Sequence, residues 1–190
     1  WQFADFALWL QQRYIKAKIN QELTYCQNKL IDRDRHSLPV SDRRLSSRQA
    51  RHYFAEIPVS IGDAINSLSH DLGVTNFAVL LAGLKLSLAD WHQQRDIAVV
   101  TTIGTRNIPQ AEQMLGCFIN DVILRSQLLS EQTGTMLIKE LQANIKDAIA
   151  HKDIPLERVI AHTKQQSHLH LMASITMTAS TQAVEPISGW

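Results

Sequence analysis

The sequence predicts an α/β fold, a β-sheet covered by helices, and three observations carry that expectation. Ile97-Ala-Val-Val-Thr-Thr-Ile103 is a continuous apolar and β-branched run, the pattern of a strand covered on both faces. Phe118-Ile-Asn-Asp-Val-Ile-Leu124 is a second such run, interrupted by Asn120 and Asp121. Segments with the three- and four-residue period of amphipathic helices precede and follow them, which argues for layers of helix on sheet. The chain has 190 residues, 45% of them hydrophobic, enough to bury one sizeable core, so one domain or one lobe of a larger one is expected.

Taken in order, residues 4–30 place Phe6, Leu10, Tyr14, Ala17, Cys26 and Leu30 at helical spacing, and one long first helix is expected. Residues 32–52 have no periodicity; Arg33, Arg35, Arg43, Arg44, Arg48 and Arg51 around Pro39 read as an exposed basic linker. Residues 51–58 suggest a strand stopped by Pro58, which has no N–H for a ladder. Ser60 is placed to start a helix that Gly73 ends, with Ile61, Ile65, Leu68 and Leu72 as its buried stripe. Thr75 caps the next helix, from Asn76 to Trp91, which is apolar almost all round and belongs in the core. A further amphipathic helix spans residues 135–150 through Leu137, Ile138, Leu141, Ile145 and Ile149. Asp153 and Pro155 suit the start of a short last helix, and Leu169 to Ala179 reads as a final strand. There is no internal repeat and no low-complexity tract.

Nineteen Lys and Arg against eighteen Asp and Glu leave no global field for a polyanion, so no nucleic-acid partner is expected. No apolar run approaches the length of a membrane span and no signal segment opens the chain, so a cytoplasmic protein with no membrane partner is expected. Cys26 and Cys117 have no disulfide or zinc spacing and read as ordinary buried thiols. The chain opens on Trp1 and runs at once into a helical pattern, which reads as a piece cut from a longer polypeptide.

Phosphate loops, dinucleotide turns, nucleophile elbows and zinc-protease helices are all absent from the sequence, which disfavours a nucleotide enzyme or a serine hydrolase. His168 and His170 would share one face of a strand, but a metal needs three or four ligands and no carboxylate or thiol lies beside them. His151 with Asp153 and Glu157 resembles an acid–base cluster, yet a helix exit followed by a capped helix entry explains each of them. Asn120 and Asp121 stand out because polar groups inside an apolar strand must find a partner, a turn or a wet cavity, or else mark a bulge or a strand end.

These segments, in this order, resemble the condensation domains of non-ribosomal peptide synthetases. Phe3-Ala-Asp-Phe-Ala-Leu-Trp9 resembles that family's Tyr-x-Asp-Phe-Ala-x-Trp, and Leu38-Pro-Val-Ser-Asp42-Arg43 its Leu-Pro-Thr-Asp-Arg linker. Asp96 to Arg106 resembles a core strand ending in Arg. Leu115-Gly-Cys-Phe-Ile-Asn120 through Arg125 resembles an Ile-Gly-x-Phe-x-Asn strand, and His151-Lys-Asp-Ile-Pro-Leu-Glu157 resembles His-Gln-Asp-x-Pro-Phe-Glu. Cys117, Asp121, Lys152 and Leu156 depart from the usual residues, and a later Arg-x-x-x-x-x-Pro-Leu stretch has no clear counterpart.

The resemblance implies a chloramphenicol acetyltransferase-like layered lobe, residues 1–190 being part of the C-terminal lobe and incomplete at both ends. It implies a substrate tunnel lined by Asn120 and Asp121, with Asp5, Trp9, Arg106, Gly116, Arg125, Asp153, Pro155 and Glu157 as structural motif residues. The family's His-His-x-x-x-Asp-Gly motif is missing, since no two of the eight histidines are adjacent, so no catalytic residue is assigned in this chain and the piece alone is expected to be inactive. The implied activity of the parent is amide-bond formation between acyl and aminoacyl thioesters, carried on the phosphopantetheine arms of carrier domains, with no cofactor bound directly. The implied partners are carrier domains, the N-terminal lobe of the same domain and adjacent synthetase modules. The alternative is a degenerate, non-catalytic lobe that binds carriers or neighbouring modules.

Overall fold

The computed structural model describes residues 2–13, 16–30, 53–106, 108–162 and 175–177. In chain order these form α1 (Phe3–Arg13), α2 (Lys16–Leu30), α3 (Val59–Leu72), α4 (Asn76–His92), β1 (Asp96–Gly104), β2 (Ile119–Gln127), α5 (Gly134–Ala150) and α6 (Leu156–His162). Among the described residues β1 and β2 pair antiparallel, with Ile97 opposite Ser126, Val100 opposite Ile123 and Ile103 opposite Asn120. The expected basic linker, His168 and His170 lie outside the described residues, as does most of the expected last strand. Of that segment, Ile175 donates its N–H to the Val100 carbonyl at 2.9 Å and packs on the main core.

Each β-strand sends alternate side chains to opposite faces, and the two faces are covered differently. Val122 and Leu124 of β2 join Ile97 and Val99 of β1 beneath α4 and α5, where Ala78, Leu81, Leu88, Leu137, Ile138, Leu141 and Ile145 complete the largest core. Ile123 points the other way and packs with Leu23 of α2 and with Ile154 and Val159 around α6. β1 is buried continuously from Ile97 to Thr101, as its unbroken apolar run predicts. β2 instead alternates, because Val122 and Leu124 face the main core while Ile123 faces the less fully covered side.

The helix boundaries follow local chemistry. Thr75 accepts from the Ala78 N–H at 3.2 Å and caps α4, while its own N–H and hydroxyl donate to Gln142 of α5 at 2.8 and 2.9 Å. Thr133 caps α5 in the same way, through the Met136 N–H at 3.3 Å. Gly73 ends α3 at φ +64°, a left-handed conformation that glycine adopts at no steric cost.

Several expectations need correction. Of the long first helix, α1 and α2 are described, and their apolar residues serve different cores: Phe6 and Leu10 pack near Met114 and Phe118, whereas Leu23 packs near Ile154. Residues 53–58 form no strand; Tyr53 and Phe54 stand in solvent. The Pro58 carbonyl, rather than the Ser60 hydroxyl, opens α3 by accepting from Ile61 and Gly62. Ile61 and Leu68 of its expected stripe are exposed, and the buried side chain is Ser69, which donates to the Asn66 carbonyl and to Asn76 at the start of α4. Ile149 is likewise exposed, and so is Cys117.

The apolar helix α4 also hides a charge. Lys85 has 0% exposure, and its ammonium donates to the Ile97 carbonyl at 2.9 Å, the Leu124 carbonyl at 2.8 Å and the Ser126 hydroxyl at 2.7 Å. All three of its donors are therefore used, two of them on the backbones of different strands. Burial pushes the amine down to about 7, against the partial opposition of the Asp96 and Glu140 carboxylates.

At the other end of the sheet, Arg106 closes the loop that leads into β2. Its guanidinium donates to the Ala111 carbonyl, and to that of Met114 at 2.8 Å, and its Cζ lies 4.1 Å from the centre of the Phe118 ring. Phe118 meets Phe3 edge-on at 5.2 Å and Phe6 at 4.9 Å, and Phe6 in turn meets Trp9 at 5.8 Å. Gly116 sits directly under Phe3, where a Cβ would overlap the ring. No single helix among the described residues is long and apolar enough to cross a membrane.

Both packings make testable demands. Between about pH 7 and the ordinary lysine range only the unfolded chain holds the Lys85 proton, so this group makes stability rise with pH, by up to about 1.4 kcal/mol per pH unit. Lys85→Met should remove that slope, as read from urea unfolding at about pH 7 and about pH 9. Gly116→Ala should cost about 1–3 kcal/mol through the forced shift of Phe3, and the same change in a Phe3→Ala background should cost little, as thermal melts of the four proteins would show.

Candidate functional site

A groove of about 360 Å³ opens at the Asn120 end of the sheet. Its apolar side is α1, through Phe3, Phe6, Ala7 and Leu10; its floor comes from Thr105, Cys117 and Ile119 beside the strand ends. The opposite wall is the turn from α5 into α6, with Asp153, Pro155 and Glu157, and Asn120 and Asp121 lie between. Residues far apart in sequence meet here because β2 begins beside the end of β1 and α6 returns across the same edge.

Asn120 is the joint of this site. Its side-chain amide donates to the Lys152 carbonyl at 2.6 Å and the Ile154 carbonyl at 2.7 Å, and its Oδ1 accepts from the Asp121 N–H at 2.9 Å. Both N–H groups are thus spent on the wall of the groove, which they hold against β2. Lys152 adds a second tie by donating to the Gly104 carbonyl at 2.9 Å. Asp121 accepts from the Thr102 hydroxyl at 2.7 Å across the strand pair.

Of the residues singled out from sequence, Asn120, Asp121, Asp153, Pro155 and Glu157 come together around the groove. Arg106, Gly116 and Trp9 lie behind it, in the aromatic layer that supports α1 and the loop before β2. Asp5 accepts from the Gln2 N–H at 2.8 Å at the start of α1, where a carboxylate also suits the helix dipole. Arg125 stands toward the far end of β2, in a two-pronged pair with Asp96 at 2.8 and 2.7 Å, and donates to the Lys29 carbonyl at 2.9 Å.

Sequence reading missed a polar cluster on the α2 side of β2, around a pocket of about 40 Å³ lined by Tyr25, Cys26, Lys29, Asp121 and His151 among others. His151 does end α5, as its spacing suggests, but its Nδ1 also lies 2.6 Å from Glu22 and its ring stacks on Tyr25 at 3.7 Å. Tyr25 donates to Asp147, and burial followed by that bond pushes its hydroxyl well above the ordinary tyrosine range. The same bond, with Lys29 at 3.2 Å, holds the Asp147 carboxyl below its ordinary range. Burial and the nearby Glu22 push the Cys26 thiol up to about 11, which leaves it unreactive near neutrality. The available signal was the spacing of Glu22, Tyr25 and Lys29, which share one helix face.

No cluster of metal-ligating side chains exists among the described residues. The groove's described lining offers an apolar wall, an amide joint and carboxylates, with no histidine or thiolate pair poised for nucleophilic chemistry.

Comparison with known proteins identifies the family. The family model described as "Condensation domain" matches residues 1–185. Chondramide synthase cmdD of Chondromyces crocatus is 27% identical over 187 residues, covering 96% of this chain and 5% of that protein. Tyrocidine synthase 3 of Brevibacillus parabrevis is 30% identical over 166 residues, covering 84% of this chain and 2% of that protein. The chain thus spans a small fraction of the length of the synthases it matches. The crystal structure of the X-domain from teicoplanin biosynthesis superimposes with a TM-score of 0.78 at 21% identity, over 93% of this chain and 41% of that one. With its ordered motifs, its layered fold and a family match over nearly its whole length, the chain belongs to the condensation domain family of non-ribosomal peptide synthetases.

Proposed function

We propose that these residues form the C-terminal lobe, in part, of a condensation domain that joins carrier-bound acyl and aminoacyl thioesters by an amide bond in non-ribosomal peptide biosynthesis. The observation that carries this reading is the groove at Asn120, built from the segments by which the chain resembles the family. In the reaction the acceptor amine attacks the donor thioester carbonyl, the carbon–sulfur bond breaks, and the amine proton ends on the released thiol. By the resemblance to the family, assistance to that proton movement is assigned to a His-His-x-x-x-Asp-Gly motif in an N-terminal lobe.

The groove is assigned to the substrate path, with Asn120 and Asp121 as its lining and the α1 aromatics as its dry side. Its substrates arrive on the phosphopantetheine arms of carrier domains, so carrier domains and adjacent modules are the proposed partners, in the cytoplasm. Asp153, Pro155 and Glu157 are proposed to shape the wall, and Asp5, Trp9, Arg106, Gly116 and Arg125 to hold the lobe in register.

The coding frame around this chain tests the reading directly. An in-frame His-His-x-x-x-Asp-Gly before Trp1 is the expected result, and a frame without it overturns amide-bond catalysis. In the complete protein, Asn120→Ala should release Lys152 and Ile154 and lower kcat/KM for amide formation roughly ten- to a hundredfold, the loss of two hydrogen bonds to part-buried carbonyls. Unchanged product formation by a folded Asn120→Ala protein, with carrier domains fully loaded, would remove Asn120 from the proposed path.

A further inference from the structure

Helix α2 turns one polar face, Glu22, Tyr25 and Lys29, onto the C-terminal turn of α5. Glu22 is only 7% exposed, and a carboxylate so placed is tolerated only with a partner. Its partner is His151, at 2.6 Å from Oε2 to Nδ1, with the imidazole held in place by the Tyr25 ring stacked on it at an interplanar angle of 17°. The other ring nitrogen faces Asp147 at 3.8 Å, and Asp147 is itself held by Tyr25 and Lys29. The groups around the imidazole are therefore two carboxylates, one phenol and one ammonium, with the Cys26 thiol nearby.

His151 is also the first residue of the turn whose next carbonyls, Lys152 and Ile154, receive the Asn120 amide. Glu22 and His151 do not line the groove. We infer that the Glu22–His151 pair is a positioning pair, a clasp through which α2 fixes the 151–155 turn and so sets Asn120 and the groove wall in place. The clasp is a property of the chain, and only its consequence for amide formation rests on the function proposed above.

Hydrogen exchange followed by NMR tests it in two places, the Asn120 side-chain amide and the backbone amides of residues 151–159 other than Pro155, with the Val99 amide of β1 as the folding control. Glu22→Leu should speed exchange at both places by about tenfold or more while Val99 stays protected, and Glu22→Gln, which keeps a neutral acceptor, should fall between it and the wild type. His151→Leu should behave as Glu22→Leu, which keeps the test intact if Glu22→Leu fails to fold. The exchanged pair, Glu22→His with His151→Glu, should restore protection, a rescue that two independent packing defects would not give. Wild-type exchange at residues 151–159 in the folded Glu22 and His151 variants would overturn the clasp. Raised exchange in those variants, alongside a complete wild-type protein that forms no amide bond, would sustain the clasp and overturn the functional reading instead.

Discussion

The fold is organised around the Lys85 amine, which is shut off from the surface. Lys85 sits on a helix otherwise apolar enough to be swallowed by the core, and its three protons must find acceptors inside it. They find one carbonyl on β1, one on β2 and the Ser126 hydroxyl beside them. Hydrophobic burial alone would let α4 slide over the sheet by fractions of a turn, since dispersion is non-directional. Three directional bonds fix it, and with it the register of the pair it straddles, because a slip of one residue would turn the Ser126 side chain to the other face.

The groove inherits that register. Ile103 opposite Asn120 and Gly104 opposite Ile119 bring the end of β1 beside the start of β2, so the loop between them must fold back on itself. Arg106 gathers that loop by its carbonyls, and the cluster of Phe3, Phe6 and Phe118 then docks α1 over it. The close approach of Phe3 requires Gly116, where any side chain would occupy the space of the ring. The apolar wall of the groove is thus the outer surface of a packed aromatic layer, while the facing wall is a turn held by hydrogen bonds.

Much of this was legible in the sequence, and the parts that were share a cause. Thr75, Gly73, the continuous run from Ile97 to Thr101 and the helix through Leu137, Leu141 and Ile145 are set by short-range chemistry, namely a cap, a left-handed stop and two periods. Asn120 was visible as a polar residue in a strand that had to meet something, and it meets a turn. The errors lie where a long-range partner decides. The apolar residues of 4–30 divide between separate cores, which their common period does not show, and the apolar stripe of α3 is only partly covered among the described residues. Lys85 lies on a helix read as apolar almost all round, and the strand carbonyls that hold it come from later in the chain. His151 read as a helix end, which it is, because the spacing that predicts a cap says nothing about Glu22, 129 positions earlier in the chain.

The two walls also differ in how they should respond to change. An aromatic layer resists small displacements, because close-packed rings lose contact steeply when they part. The 151–155 turn owes its place to the Asn120 amide, the Lys152 ammonium and the His151 ring, each reaching a different element. Side-chain bonds of this kind open singly and locally at far lower free energy than a core unfolds. The groove therefore has one fixed side, built of packed rings, and one adjustable side, on which the carboxylates Asp153 and Glu157 stand.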